Sequence, residues 1–103
     1  MNSYNKYTDL QINELVATRL KKKCLLTEES VLAYMDSGYR TFAPCNNPTD
    51  AMPIIIENEI SMIKSSGGWM CCHGSVGNVE HESLYRGAME VFLMMKDAEN
   101  EKI

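Results

Sequence analysis

The sequence predicts a small α+β domain in which three helices pack on a short, mostly antiparallel sheet, an αββαββα-like sandwich. Three observations carry that prediction. Residues 8–23 and 83–98 repeat apolar side chains at helical spacing. Between them stand two pairs of short β-prone runs, each pair joined by a glycine-bearing turn. Asn46-Asn47-Pro48-Thr49-Asp50, a helix-start signal, separates the two pairs. The chain has 103 residues, enough for one core and one domain over residues 1–103.

Thr8 and Gln11 form a capping box for the first helix, and Tyr7 is placed to staple onto Ile12. Ile12, Leu15, Val16 and Leu20 then share a face. Lys21, Lys22 and Lys23 are expected in the last turn, where cations suit the helix dipole. Val31 to Met35, Asp36-Ser37-Gly38 and Tyr39 to Phe42 read as strand, turn and strand. The second helix is expected from Ala51 to about Asn58, with Pro53 tolerated because it lies near the first turn. Ile60 to Ile63 and Gly68 to His73 read as two strands joined by Lys64-Ser65-Ser66-Gly67. Gly74 to Glu82 is polar and reads as a loop. Leu84, Ala88, Val91, Phe92 and Met95 mark a closing helix from Ser83 to about Ala98, with Glu99 to Ile103 expected to fray.

Ten basic residues stand against fourteen acidic ones, a formal charge of -4. Such a balance disfavours duplex nucleic acid, whose binders draw on a basic face. A polar opening and the lack of a long apolar run lead us to expect no signal peptide, no membrane and a cytoplasmic setting with reduced thiols.

The cysteines do not have metal-site spacing. Cys71 and Cys72 are adjacent, so on a strand they point to opposite faces, and no second close pair joins them, His73, His81 and Cys45. No metal or cofactor is expected. A Cys72–His81 nucleophilic pair with Glu80 is conceivable on residue type, but nothing in the spacing enforces it. Gly67-Gly68 and Gly74-x-x-Gly77 match no phosphate loop. Asp50 and Glu57 share a helical face, with Asp50 better explained as compensating the first-turn dipole. No catalytic residue is therefore predicted.

Five residues stand out as candidate ligand contacts: Asn46, Asn47, Asp50, Trp69 and Arg86. Trp69 offers a flat stacking face with an N–H donor. Arg86 sits at the start of the closing helix, against its dipole preference, and is expected to pair with Asp50 or Glu57 unless it meets a ligand. Leu93 and Met94 fall off the main stripe of that helix. Apolar residues on more than one face predict burial against a second copy as well as a sheet, hence a homo-oligomer.

Three stretches resemble a known family. Cys45-Asn46-Asn47-Pro48-Thr49-Asp50-Ala51-Met52-Pro53-Ile54-Ile55-Ile56-Glu57-Asn58 is similar to the central motif of the NinX family of small tailed-phage proteins. Leu84 to Met95 resembles its C-terminal motif, and Tyr7 to Ala17 its N-terminal helix. The likeness leaves out residues 21–41 and 72–82. This chain departs from the family in having Met52 for Trp, Gly87 for Ala, and no Pro before the Leu-Arg pair. The resemblance implies a phage accessory protein of the infected bacterial cytoplasm, in a family without an assigned activity.

Together these readings predict a non-enzymatic binding protein of counter-defence or host-takeover type, sequestering a small nucleotide-like ligand as an oligomer. The alternative is a protein–protein interaction module acting on a host or phage protein of DNA metabolism through the Met-rich helix.

Overall fold

The structure, a computed structural model, describes residues 2–101. A 3-10 turn (Tyr4–Lys6) leads into α1 (Asp9–Arg19), then β1 (Cys24–Leu26), β2 (Val31–Met35) and β3 (Gly38–Thr41). There follow α2 (Pro48–Glu57), β4 (Ser61–Ser65), β5 (Gly68–His73), β6 (Gly77–His81) and α3 (Leu84–Glu101). The class is the expected α+β one. The strands, however, divide between two antiparallel three-stranded sheets, β1-β2-β3 and β4-β5-β6, rather than gathering in one.

Local chemistry accounts for most boundaries. Gln11 N donates to Thr8 Oγ1 (3.1 Å) and Thr8 N to Gln11 Oε1 (2.8 Å), so the capping box opens α1 as expected. The lysine run is not in its last turn. Leu20 caps the helix and Lys21 takes φ 59°, a left-handed exit that turns the chain toward β1. Asp36 (φ 51°) and Ser37 (φ 68°) make a left-handed two-residue turn, which matches the twist of the β2–β3 hairpin. In α2, Asn47 accepts from Thr49 N (2.9 Å) and Pro48 takes the first position, so the helix starts three residues earlier than expected. Pro53 consequently lies deeper in the helix. Thr49, one turn back, is exposed, so the carbonyl that Pro53 leaves free is on the solvent side.

Gly68 joins β4 to β5 at φ 135°, and a Cβ there would stand 2.4 Å from the His81 carbonyl oxygen. Glycine is required because β6 passes that close. The stretch expected as a loop contains β6, paired with β5 from Trp69↔His81 to His73↔Gly77. Only Val79 of this strand is buried. α3 is ordered through Glu99 and Asn100, where fraying was expected; Lys102 and Ile103 lie outside the described residues.

α3 organises the core. It packs on β5 and β6, on α1 and on α2, while α1 in turn packs on β1 and β2. The helices thus lie between the sheets. Residues 88–93 are all buried, with Met89, Phe92 and Leu93 inaccessible. The second apolar face of α3, read in the sequence as a contact with another copy, is covered by α1, α2 and the second sheet of the same chain. No helix among the described residues is long and apolar enough to cross a membrane.

Gly87 marks the closest approach of α3 to its sheet. A Cβ at this position would sit 3.0 Å from Cys71 Sγ and 3.3 Å from His81 Cβ. Replacing helical Gly by Ala is worth about 1 kcal/mol in propensity, but here the methyl is pressed into a buried thiol. Gly87→Ala is expected to lower stability in the wild-type chain and to raise it by about 1 kcal/mol in a Cys71→Ala background. Urea melts of the four proteins in that cycle check the sign reversal.

Candidate functional site

Arg86 is 5% exposed, and its guanidinium makes four hydrogen bonds. Nε donates to Glu90 Oε2 (2.6 Å) and Nη1 to Asp9 Oδ1 (2.7 Å). Nη2 donates to the carbonyls of Tyr4 (3.0 Å) and Tyr7 (2.7 Å). The expected ion pair therefore exists, but with Asp9 and Glu90 in place of Asp50 or Glu57. Glu90 lies one helical turn on and compensates the cation within α3. It also accepts from Asn2 Nδ2 (2.6 Å).

Burial opposes the Arg86 charge, yet the bonds to Asp9 and Glu90 outweigh it and hold the guanidinium pKa above its ordinary value. Burial likewise would raise the Asp9 carboxyl, but the bonds from Arg86 and Asn46 bring it below its ordinary 3.8. A second anchor lies along α3. Asp97 pairs with Arg19 (2.7 Å) and accepts from the Tyr4 hydroxyl, whose pKa burial and that bond push to about 12.

The predicted site residues fall into three places. Asn46 and Arg86 are brought together, since Asn46 Nδ2 donates to Asp9 Oδ2 (3.0 Å) on the carboxylate that Arg86 holds. Asn47 and Asp50 belong to the start of α2, where Asn47 caps the helix and Asp50 Oδ2 accepts from Ala43 N (2.9 Å). Asp50 and Glu57 do share a groove, with Lys22 between α2 and Met35. Trp69 is half-buried against the core, opposite His81 across the β5–β6 pair and beneath Lys64 Nζ, 5.4 Å from the ring centroid.

Residues that sequence reasoning missed lie beside Asn46. A cleft of about 210 Å³ opens between α1 and the first sheet, lined among others by Asp9, Asn13, Asn46, Glu29, Ser30 and Thr41. Asn13 is 5% exposed, and its Oδ1 accepts from Cys45 N (3.0 Å). Asp9 and Asn13 are four apart on α1, a spacing that puts both on one face. The capping box and the apolar stripe took attention from that polar pair.

The sulfur and imidazole groups are dispersed. Cys71 is buried under α3, and Cys72 stands on the opposite face of β5. Cys72 faces Asn78 in register, on the outer side with Glu80, while His81 is on the inner side with Val79. The Cys72–His81 pair therefore does not assemble. His73 Nδ1 meets Ser75 Oγ (2.9 Å), and His81 Nδ1 accepts from Ser83 N (2.9 Å), so both rings brace turns. Burial pushes the Cys45 thiol to about 12 and the Cys71 thiol to about 11, which leaves both protonated near neutrality.

No protein-family model matches this chain, and no curated protein matches it.

Two tests address this region. Arg86→Met should destabilise the fold by about 3–5 kcal/mol, because it strands the Glu90 carboxylate in the interior. The Asp9 contribution is present above the unfolded carboxyl pKa and is lost as pH falls through the lower folded one. Denaturant melts against pH should therefore show the wild type losing stability below about pH 4 and Arg86→Met losing less there. In the native protein, Cys24 and Cys72 should react with a disulfide reagent while buried Cys45 and Cys71 stay protected, all four becoming reactive on unfolding. Mass spectrometry of the labelled chain reads this directly.

Proposed function

We propose that this chain is a non-enzymatic accessory protein that binds a small hydrogen-bonding ligand of nucleobase or nucleoside type in the cleft between α1 and the first sheet. The observation that carries the reading is the Asn13 amide. Its Oδ1 is held by Cys45 N, so the amide lines the cleft beside the Asp9 carboxylate with Nδ2 as its donor.

The donor pattern suits one edge of a base. An exocyclic amino group donates to Asp9 or Glu29, and the adjacent ring nitrogen accepts from Asn13 Nδ2, as adenine and cytosine permit. Leu10, Val31 and Phe42 supply an apolar wall. The cleft volume equals roughly seven waters at about 30 Å³ each. That accommodates a base with its sugar at the mouth, but it is below the range of a site enclosing a drug-sized molecule.

The proposal narrows the ligand from nucleotide-like to unphosphorylated. Arg86, the expected phosphate contact, is buried in its own ion pairs, and Asp9 and Glu29 repel an anion. Protonated Cys45 and Cys71 and turn-bracing His73 and His81 support binding over catalysis. Resemblance of three stretches to the NinX motifs supports the setting, a phage product acting in the infected bacterial cytoplasm. Sequestering a small host signal there is a counter-defence role.

Adenosine and cytidine should raise the melting temperature, by an amount equivalent to about 2.7 kcal/mol at a hundredfold excess over Kd. Their monophosphates should do so less, Glu29→Gln and Thr41→Val should reduce the shift, and Trp69→Phe should leave it unchanged. A melting temperature indifferent to bases, nucleosides and nucleotides alike would sink the reading.

A further inference from the structure

The two sheets end in four edge strands, β1 and β3 of the first and β4 and β6 of the second. An edge strand offers main-chain N–H and C=O groups to any extended chain that reaches it, and a charge inside the strand is the usual guard. β3 carries Arg40, β4 carries Lys64 and β6 carries Glu80. β1 is Cys24-Leu25-Leu26, with no charge within it. Leu25 is 50% exposed and Leu26 56%. Leu26 shares the inner face of the sheet with buried Val31, and Leu25 shares the outer face with Leu32. A molecule lying on one face covers one of these leucines, whereas a strand added at the edge flanks both.

Hydrogen bonding shows which main-chain groups of β1 are open. Tyr34 N donates to the Lys23 carbonyl and Thr27 N to the Ser30 carbonyl, both at 2.9 Å. In the antiparallel register Cys24↔Ala33 to Leu26↔Val31, residues 23, 25 and 27 therefore turn their main-chain groups to β2. Cys24 and Leu26, which alternate with them, turn theirs to the open edge. Two donors and two acceptors are thus set at the spacing of one further antiparallel strand.

The flanks of β1 select which strand. Lys21 and Lys23 precede it and Glu28 follows it, all exposed. Glu29 is committed to the cleft, and Asp36 on the β2–β3 turn is paired with Arg40 (3.4 Å). An incoming antiparallel strand meets the lysines at its C-terminal end and Glu28 at its N-terminal end. It complements β1 when it is apolar in the middle, basic before and acidic after, which is the order of β1 itself. A parallel copy would set lysine beside lysine.

We propose that β1 pairs edge to edge with β1 of a second copy, antiparallel and in register about Leu25, so that the two first sheets join into one of six strands. The twofold axis stands perpendicular to the sheet and passes between the two Leu25 residues, an isologous contact. Cys24 of each copy then lies opposite Leu26 of the other, and all the open main-chain groups of both residues are paired. Leu25 meets its own counterpart as a non-hydrogen-bonded pair, with Cα atoms about 4.5 Å apart. The contact is short, so the dimer is weak and forms at high protein concentration. No residue of β1 lines the cleft, so the dimer stands or falls separately from the nucleoside reading.

Sedimentation velocity of the full chain over a concentration series tests association. The wild type is expected to shift from monomer to a species of twice the mass. Leu26→Pro removes an N–H that points away from β2, so it blocks the edge and keeps the ladder within the chain. It should stay monomeric with an unchanged circular dichroism spectrum. Leu26→Lys, which restores a guard charge, should do the same should proline disturb the fold. Glu28→Lys should weaken the dimer several-fold, and Tyr39→Lys on the opposite edge of the sheet should leave it unchanged. Register is read by cross-linking. With Cys24 and Cys72 replaced by serine, Leu25→Cys should close a disulfide between copies on mild oxidation, because that Cα separation lies within disulfide range. Tyr39→Cys in the same background should not. A wild type that is monomeric at every concentration overturns the proposal. So does a dimer indifferent to Leu26→Lys and Glu28→Lys, a Leu25→Cys chain that does not cross-link, or a monomeric chain whose β1 edge takes up a strand of another protein.

Discussion

One guanidinium holds this fold in register. Arg86 enters α3 where the helix dipole disfavours a cation, and it is buried there. Two carboxylates and two main-chain carbonyls offset that cost. The carbonyls belong to Tyr4, which opens the 3-10 turn, and Tyr7, which caps it, and one carboxylate is the first residue of α1. A single side chain thereby fixes the N-terminal segment, the start of α1 and the start of α3 against one another. Arginine suits this task better than lysine, because its planar fork serves several acceptors in different directions at once. Asp97, three-quarters of the way along α3, repeats the arrangement with Arg19 and Tyr4 and sets the angle between the two helices.

Covering α3 on several sides follows from that clamp. With α1 held on it by Arg86 and Asp97, α2 on another side and β5 and β6 on a third, eight consecutive positions from Arg86 to Leu93 are buried. A helix in that position must be apolar nearly all round, and Met89, Met94 and Met95 all lie on it. Glu90 is the exception that the geometry requires, since a buried guanidinium needs a buried partner. Gly87 permits the approach to β5, and Cys71 is the small residue it meets. Two of the four cysteines are thus accounted for as compact packing residues, Cys71 under α3 and Cys45 donating its N–H to Asn13.

What was legible in the sequence was local chemistry. The Thr8–Gln11 capping box, the Asp36-Ser37 turn, the Asn47 cap and the bounds of β5 all follow from residues within four positions of each other. β6 was not legible because Gly77-Asn78-Val79-Glu80-His81 carries one apolar residue; its pairing is supplied by β5, and its inner face needs only Val79. β1 is apolar throughout but only three residues long, too short for an alternating pattern to show, and was passed over. Division into two sheets was invisible, since each hairpin reads identically whether or not it continues into the other. The site was half legible. Arg86 stood out as misplaced, but its partner Asp9 is 77 residues away, and only the fold brings them together.

Three separate stretches of the chain meet at this network. Asp9 comes from the N-terminal stretch, Cys45 and Asn46 from the central one, and Arg86 and Glu90 from the C-terminal one. Asp9 spends one oxygen on Arg86 and the other on Asn46, so its position in the cleft is fixed by the same bonds that hold the fold. A ligand meeting Asp9 finds a carboxylate already oriented and already ionised, and little further ordering opposes its binding. The cleft carboxylate therefore takes its fixed position from the clamp beneath it.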